Sequence, residues 1–300
     1  MLRPALPALL TLFACAAYDC GGSEPAPVAP EPPAEPVPAL TPPAAAAIVS
    51  VRVPEPSHPV PEAAPHALVR VPEGFRKDDP WDLVIFLHGW NGCVNVLMRS
   101  GTVRCVDGEG AVHEGWDLAT TFDEAGNNAL FLMPQLAFRE REGSAGRFSE
   151  EGFVRGFVDA VAAQVDPWPD SRPRRIVLTA HSAGFETALA WLRDDPLPVD
   201  EVVLFDALYA GTEVFARWVG EADGRRLVSI HGGRGSTARQ SRRLGRLAER
   251  FERAVGTDLS SIAPVIVMET EAPHRDVPRA HLVEVLRSPD PAPASPTEIQ

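Results

Sequence analysis

Apolar residues along this chain fall into short uninterrupted runs separated by segments of helical period. Ala67–Val71, Leu83–Leu87, Ala129–Met133, Arg175–Thr179, Glu201–Phe205, Leu227–His231 and Pro264–Met268 are each five residues long and mostly apolar, the pattern of strands buried on both faces. Between them the period changes. Phe153, Phe157, Val161 and Val165 repeat on one face of a helix predicted over 151–165, and Phe185, Ala188, Leu189 and Leu192 do the same after residue 184. A further helix is predicted near 214–219. Another is predicted over 236–255, with Leu244, Leu247 and Phe251 inward and Arg242, Arg243, Arg246, Arg250 and Arg253 as a solvated face. Strands alternating with helices predict an α/β domain with a mostly parallel sheet and helices on both faces.

The ends break this pattern. Met1-Leu2-Arg3 is a short basic start, and Pro4 to Ala14 is apolar but too short to span a bilayer. From Pro25 to Pro65 the chain holds 14 of its 31 prolines, interleaved with Ala and Glu, which predicts an extended tether without a core. Residues after Ser288 form a second Pro-rich tail. The expected organisation is a signal peptide over 1–14, a tether over 15–65, one domain over 66–288 and a tail over 289–300. The net charge of −13 and the absence of a basic stripe argue against a nucleic-acid partner.

The candidate chemistry gathers where strands end. The strand 175–179 runs into Ala180-His181-Ser182-Ala183-Gly184, a serine flanked by small residues at a strand-to-helix turn. Large neighbours would clash in so tight a turn, which pushes the serine oxygen above the sheet. A serine that only caps the helix is the plainer alternative. The strand 83–87 ends in His88-Gly89-Trp90, and Glu201–Phe205 ends at Asp206. His274 lies in the loop after the last strand, where the carboxyl edge of the sheet faces Ser182. Of the other histidines after Asp206, His231 ends a strand and His281 falls in the closing helix behind Pro278. Asp123 precedes the serine, while Glu271 and Asp276 crowd His274.

These motifs resemble the α/β-hydrolase superfamily from about His66 to Ser288. The order Ser182, Asp206, His274 is the order of its catalytic triads, and the first elbow position is Ala180 in place of the common glycine. The resemblance implies Ser182 as nucleophile, His274 as base, Asp206 as the acid that orients it, and the backbone N–H groups of Trp90 and Ala183 as oxyanion donors. It implies cleavage of a small-molecule, lipid or polymer ester without a cofactor or metal. Two other readings stay open: a surface lipoprotein that keeps the fold but only binds, and a peptidase or amidase. Leu12-Phe13-Ala14-Cys15 resembles a bacterial lipobox, which implies cleavage before Cys15, lipidation of its thiol and a membrane-anchored protein facing the periplasm or cell surface. A plain secretory peptide is the second reading and a cytosolic protein the third. In an oxidising compartment Cys93 and Cys105, twelve residues apart, favour a disulfide; free thiols or a metal site are the alternatives. Gln135 is placed either at the site or on loop backbone. His181 is expected to pack, the 231–235 turn to cradle an anionic substrate group or simply to turn, and Arg147 and Trp116 are candidates for a lid.

Overall fold

A computed structural model of the chain describes residues 45–106, 109–141, 143–194, 197–250 and 253–289. The signal segment, Cys15, Cys20, the tether up to residue 44, Phe251 and the tail from residue 290 lie outside the described residues.

The chain enters the sheet through β1 (Ala47–Val51), β2 (Ala67–Val71) and β3 (Asp82–Leu87). A short helix α1 (Val94–Met98), a hairpin of β4 (Thr102–Val106) and β5 (Glu109–Glu114), and α2 (Leu118–Glu124) lead to β6 (Ala129–Pro134). Then strands and helices alternate: α3 (Phe153–Ala162), β7 (Arg175–His181), α4 (Phe185–Asp194), β8 (Glu201–Phe205), α5 (Thr212–Glu221), β9 (Arg226–Gly232) and α6 (Gly235–Arg250). The two-residue β10 (Val255–Gly256), β11 (Val265–Thr270) and α7 (Val277–Arg287) close the chain. Among the described residues the main sheet has nine strands in the order β1-β2-β6-β3-β7-β8-β9-β11-β10. β1 runs antiparallel to β2, β2 antiparallel to β6, and every other pair is parallel.

Alternation along each strand divides the core in two. In β3, Leu83, Ile85 and Leu87 face one layer while Val84 and Phe86 face the other. The first layer is covered by α3, α4, α5 and α6, through residues such as Phe157, Trp191, Phe215 and Leu244. The second is covered by α1, α2 and α7, through Leu97, Phe122 and Leu282. Both faces are therefore apolar, which is why the strands read as continuous runs. The amino ends of the parallel strands close on charge: Arg174 and Arg175 meet Asp82, and Arg175 and Arg226 meet Glu201, all but Arg174 nearly fully buried. The carboxyl ends of the same strands stay open to side chains of another kind.

Three expectations are corrected. The domain starts before His66: β1 lies inside the stretch read as tether, with Val51, Val53 and Ala64 buried and the His66 ring bonded to the Val53 carbonyl. The β4–β5 hairpin was not foreseen. The helix predicted over 236–255 is described over Gly235–Arg250 and does not reach Val255, which pairs with Val265 at the sheet edge. Among the described residues no helix is long and apolar enough to cross a membrane, and no group of three acidic, His or Cys side chains is placed to hold a metal.

Candidate active site

Ser182 sits where β7 turns into α4. Its φ is 56°, the left-handed region that a serine adopts only when its surroundings force it. The force is visible in the packing. A Cβ added to Gly89 would come within 2.6 Å of the Ser182 Cβ, and one added to Gly184 within 2.3 Å of the Leu87 carbonyl oxygen. The end of β3 thus lies directly on the elbow and leaves no room for side chains on either side of it. This packing also brings the Gly89–Trp90 backbone beside Ser182 and Ala183.

The loop after β3 is fixed from beneath by a buried histidine. The His88 Nδ1–H donates to the Gly89 carbonyl, 2.8 Å, and Nε2 accepts from the Leu136 N–H, 3.0 Å, and from the Gln135 amide, 2.9 Å. Burial holds the His88 pKa down at about 4, so the ring stays neutral. Gln135 spends its remaining capacity on the Gly92 and Leu136 carbonyls and the Val94 N–H. It therefore serves loop backbone, the second of its two expected roles. Cys93 and Cys105 are bridged, with Cα atoms 5.7 Å apart, and pin the hairpin to the same loop.

Asp206 follows β8 with φ 44°. One carboxylate oxygen accepts from His274 Nδ1 at 2.6 Å and the other from the Thr237 hydroxyl at 2.5 Å. Burial pushes this carboxyl upward, but the hydrogen bonds from His274, Thr237 and the Gly232 backbone outweigh it and leave the pKa below the ordinary value. The Gly232 backbone at the end of β9 thus serves the protein's own Asp206. Since a carboxylate only accepts, Nδ1 of His274 carries the proton and its Nε2 lone pair is available.

His274 stands in a short 3₁₀ segment, His274–Asp276, after β11. Its carbonyl accepts a 2.9 Å hydrogen bond from His181 Nε2, and the two rings lie 4.7 Å apart. His181 is itself buried against Trp116, and burial followed by the charge of His274 lowers its pKa to about 4. His181 therefore packs as expected, and what it packs against is the loop carrying His274. The other two histidines are engaged elsewhere: His231 Nδ1 with the Gly232 carbonyl, and His281 Nε2 with the Thr270 hydroxyl. Arg147 bonds Glu55 and Glu150 away from Ser182, so it shapes no lid there.

Ser182, His274, His181, Trp90, Trp116 and the Cys93–Cys105 bridge line one cavity of about 660 Å³. Trp90 is 54% exposed at its mouth. Two further contacts were not foreseen. Thr237 on α6 holds Asp206, and the Tyr209 hydroxyl lies near the Ser182 side chain. Tyr209 follows β8 closely enough to have been a candidate; nothing in the sequence singles out Thr237.

No family model and no curated protein matches the chain. Solved structures do. An S-formylglutathione hydrolase from Staphylococcus aureus superposes with a TM-score of 0.52 at 11% identity, over 82% of this chain and 99% of that one. A fluorophosphonate-binding serine hydrolase of the same organism gives 0.51 at 12%, over 80% and 97%. A ferulic acid esterase gives 0.50 at 12%, over 74% and 90%. Sheet order, elbow and these superpositions agree that the chain has the α/β-hydrolase fold.

Proposed function

We propose that this protein is a serine hydrolase that cleaves a carboxylic ester. The observation that carries the reading is the 2.6 Å bond from His274 Nδ1 to Asp206, on the edge of the sheet where Ser182 stands in a strained elbow. In this reading His274 Nε2 takes the Ser182 proton as Oγ attacks the ester carbonyl. The Trp90 and Ala183 N–H groups receive the oxyanion, worth on the order of 3 kcal/mol per donor. His274 then protonates the departing alcohol, and water, activated by the same ring, releases the acid from Ser182. Asp206 fixes the tautomer and steadies the imidazolium.

The test is direct. A fluorophosphonate probe should label the wild-type protein at one site and leave Ser182→Ala unlabelled, and p-nitrophenyl acetate should be hydrolysed only by the wild type. A folded wild-type protein that neither labels nor turns over would point instead to a surface protein that binds without cleaving. Faster turnover of an anilide than of its matched ester would point to an amidase.

The same proposal extends to location. A lipid on Cys15 would anchor the domain to a membrane through the Pro-rich segment, and the Cys93–Cys105 bridge agrees with an oxidising compartment. Metabolic labelling with a fatty-acid analogue should mark the wild type and not Cys15→Ala. Recovery of the wild type as an unlabelled soluble protein would reject the anchor.

A further inference from the structure

Cleaving a neutral ester needs a nucleophile, a base, its acid and oxyanion donors. None of these is a guanidinium, yet Arg139 and Arg275 both line the cavity that holds Ser182. They arrive from separate places. Arg139 lies in the turn after β6, tied by its N–H to the Gly92 carbonyl at 3.3 Å. Arg275 directly follows His274. Its guanidinium lies over the Trp116 ring, 5.3 Å from the centroid, and gives one hydrogen bond to the Glu114 carbonyl at 3.3 Å. Stacking on an indole holds the planar fork in one orientation and leaves its other donors for a ligand.

Among the described residues, neither guanidinium is paired with a carboxylate. Among the described residues Glu114 is the one carboxylate lining this cavity, against the two guanidinium groups. That balance runs against the whole chain, which has 41 acidic and 28 basic residues. The arginines of α6 are solvent-exposed, and Arg243 among them is paired with Glu213. Arg139 and Arg275 instead face a concavity walled by Trp90 and Trp116, where field lines from a charge are focused and screening is weaker.

We propose that the ester cleaved at Ser182 carries a carboxylate, recognised by Arg139 and Arg275, with its apolar part against Trp90 and Trp116. A carboxylate matches the guanidinium fork in shape as well as charge. The inference rests on Ser182 being an ester-cleaving nucleophile. Acyl-side and alcohol-side placements of that carboxylate are the two arms that the test separates.

The wild-type protein is given two matched pairs of esters. p-Nitrophenyl hemisuccinate and its methyl ester differ by an acyl-side charge; 4-acetoxybenzoate and its methyl ester differ by an alcohol-side charge. In one pair the acid should be preferred in kcat/KM by about tenfold at low salt, the worth of one charge-assisted hydrogen bond. The preference should reside mainly in KM and shrink in 0.5 M salt. Reading each variant as the ratio of acid to neutral ester removes any general loss of activity. That ratio should fall toward one in Arg139→Gln and in Arg275→Gln, and Arg139→Lys should keep only part of it. Neutral esters cleaved as fast as their acids in both pairs would overturn the inference and leave the hydrolase reading standing. So would a preference untouched in both glutamine variants. Absence of fluorophosphonate labelling together with absence of any turnover would overturn the hydrolase reading, and this inference with it.

Discussion

Asp206 is held by three donors from three elements: an imidazole after β11, a hydroxyl on α6 and a backbone N–H at the end of β9. Each does a different thing. The imidazole bond defines the tautomer of His274; the other two keep the carboxylate ionised and aimed. Asp206→Asn should therefore lower kcat by about 10³- to 10⁴-fold with the fold intact, because the amide no longer enforces that tautomer. Thr237→Val should cost far less, about tenfold in kcat with KM unchanged. Steady-state kinetics beside a thermal melt checks both, and near-normal kcat in Asp206→Asn would hand the orienting role to another acid. Tyr209→Phe removes a hydroxyl close to that of Ser182 and should alter kcat while leaving the melting temperature within a few degrees. At this scale Ser182, Asp206 and His274 were legible, because each ends or follows a strand and strands announce themselves. Thr237 was not, since a hydroxyl in the first turn of a helix usually means a cap.

At the scale of elements, the elbow depends on two glycines as much as on its serine. Gly89→Ala should abolish ester cleavage and fluorophosphonate labelling together, since the new Cβ would occupy space 2.6 Å from Ser182 Cβ and 3.1 Å from its Oγ. Gly74→Ala is a suitable contrast: no atom lies within 4 Å of its Cβ position, although φ of +79° makes some loss of stability expected. Labelling retained in Gly89→Ala would show that the end of β3 is farther from the elbow than described here. The central strands were readable for the reason that makes the sheet stable, burial on both faces. β1 was hidden by its neighbours. Ala47–Val51 is a fair strand sequence, but it lies among prolines that set the reading for the whole segment. The hairpin was missed because Thr102–Val106 and Glu109–Glu114 are short and half polar, with a glycine inside the second strand. The helix cannot run on to Val255 as the local period suggests, because Val255 pairs with Val265 at the sheet edge, a tertiary demand that local period does not carry.

For the whole molecule, two buried neutral histidines tie stability to pH. Burial lowers both His88 and His181 to about 4, whereas an unfolded imidazole takes up its proton near pH 6.5. Between those values the unfolded chain binds more protons than the native one, so stability falls as pH falls from about 6.5 toward 4. Asp206 acts in the same sense at lower pH, since its carboxyl is lowered in the native state and its contribution fades on protonation. The two histidines together are worth several kcal/mol by pH 5, a drop in melting temperature on the order of 10 °C from pH 7.5. Scanning fluorimetry across that range checks it, and a flat melting temperature would mean that one or both rings are protonated in the native state. The loss should reach catalysis before global unfolding, because His88 holds the loop beside Ser182 and His181 the loop bearing His274.

The Cys93–Cys105 bridge has a practical side. It closes the segment from the start of α1 to β4, which packs on one face of the sheet but contributes no strand to it, so the sheet can assemble without the bridge. The wall of the cavity needs it. Protein made in a reducing cytoplasm should therefore be soluble and sheet-rich yet low in specific activity, and mild oxidation after purification should raise activity per mole without a matching change in circular dichroism. For this molecule, yield and folded content are poor proxies for functional material; the thiol titre is the quantity that tracks it.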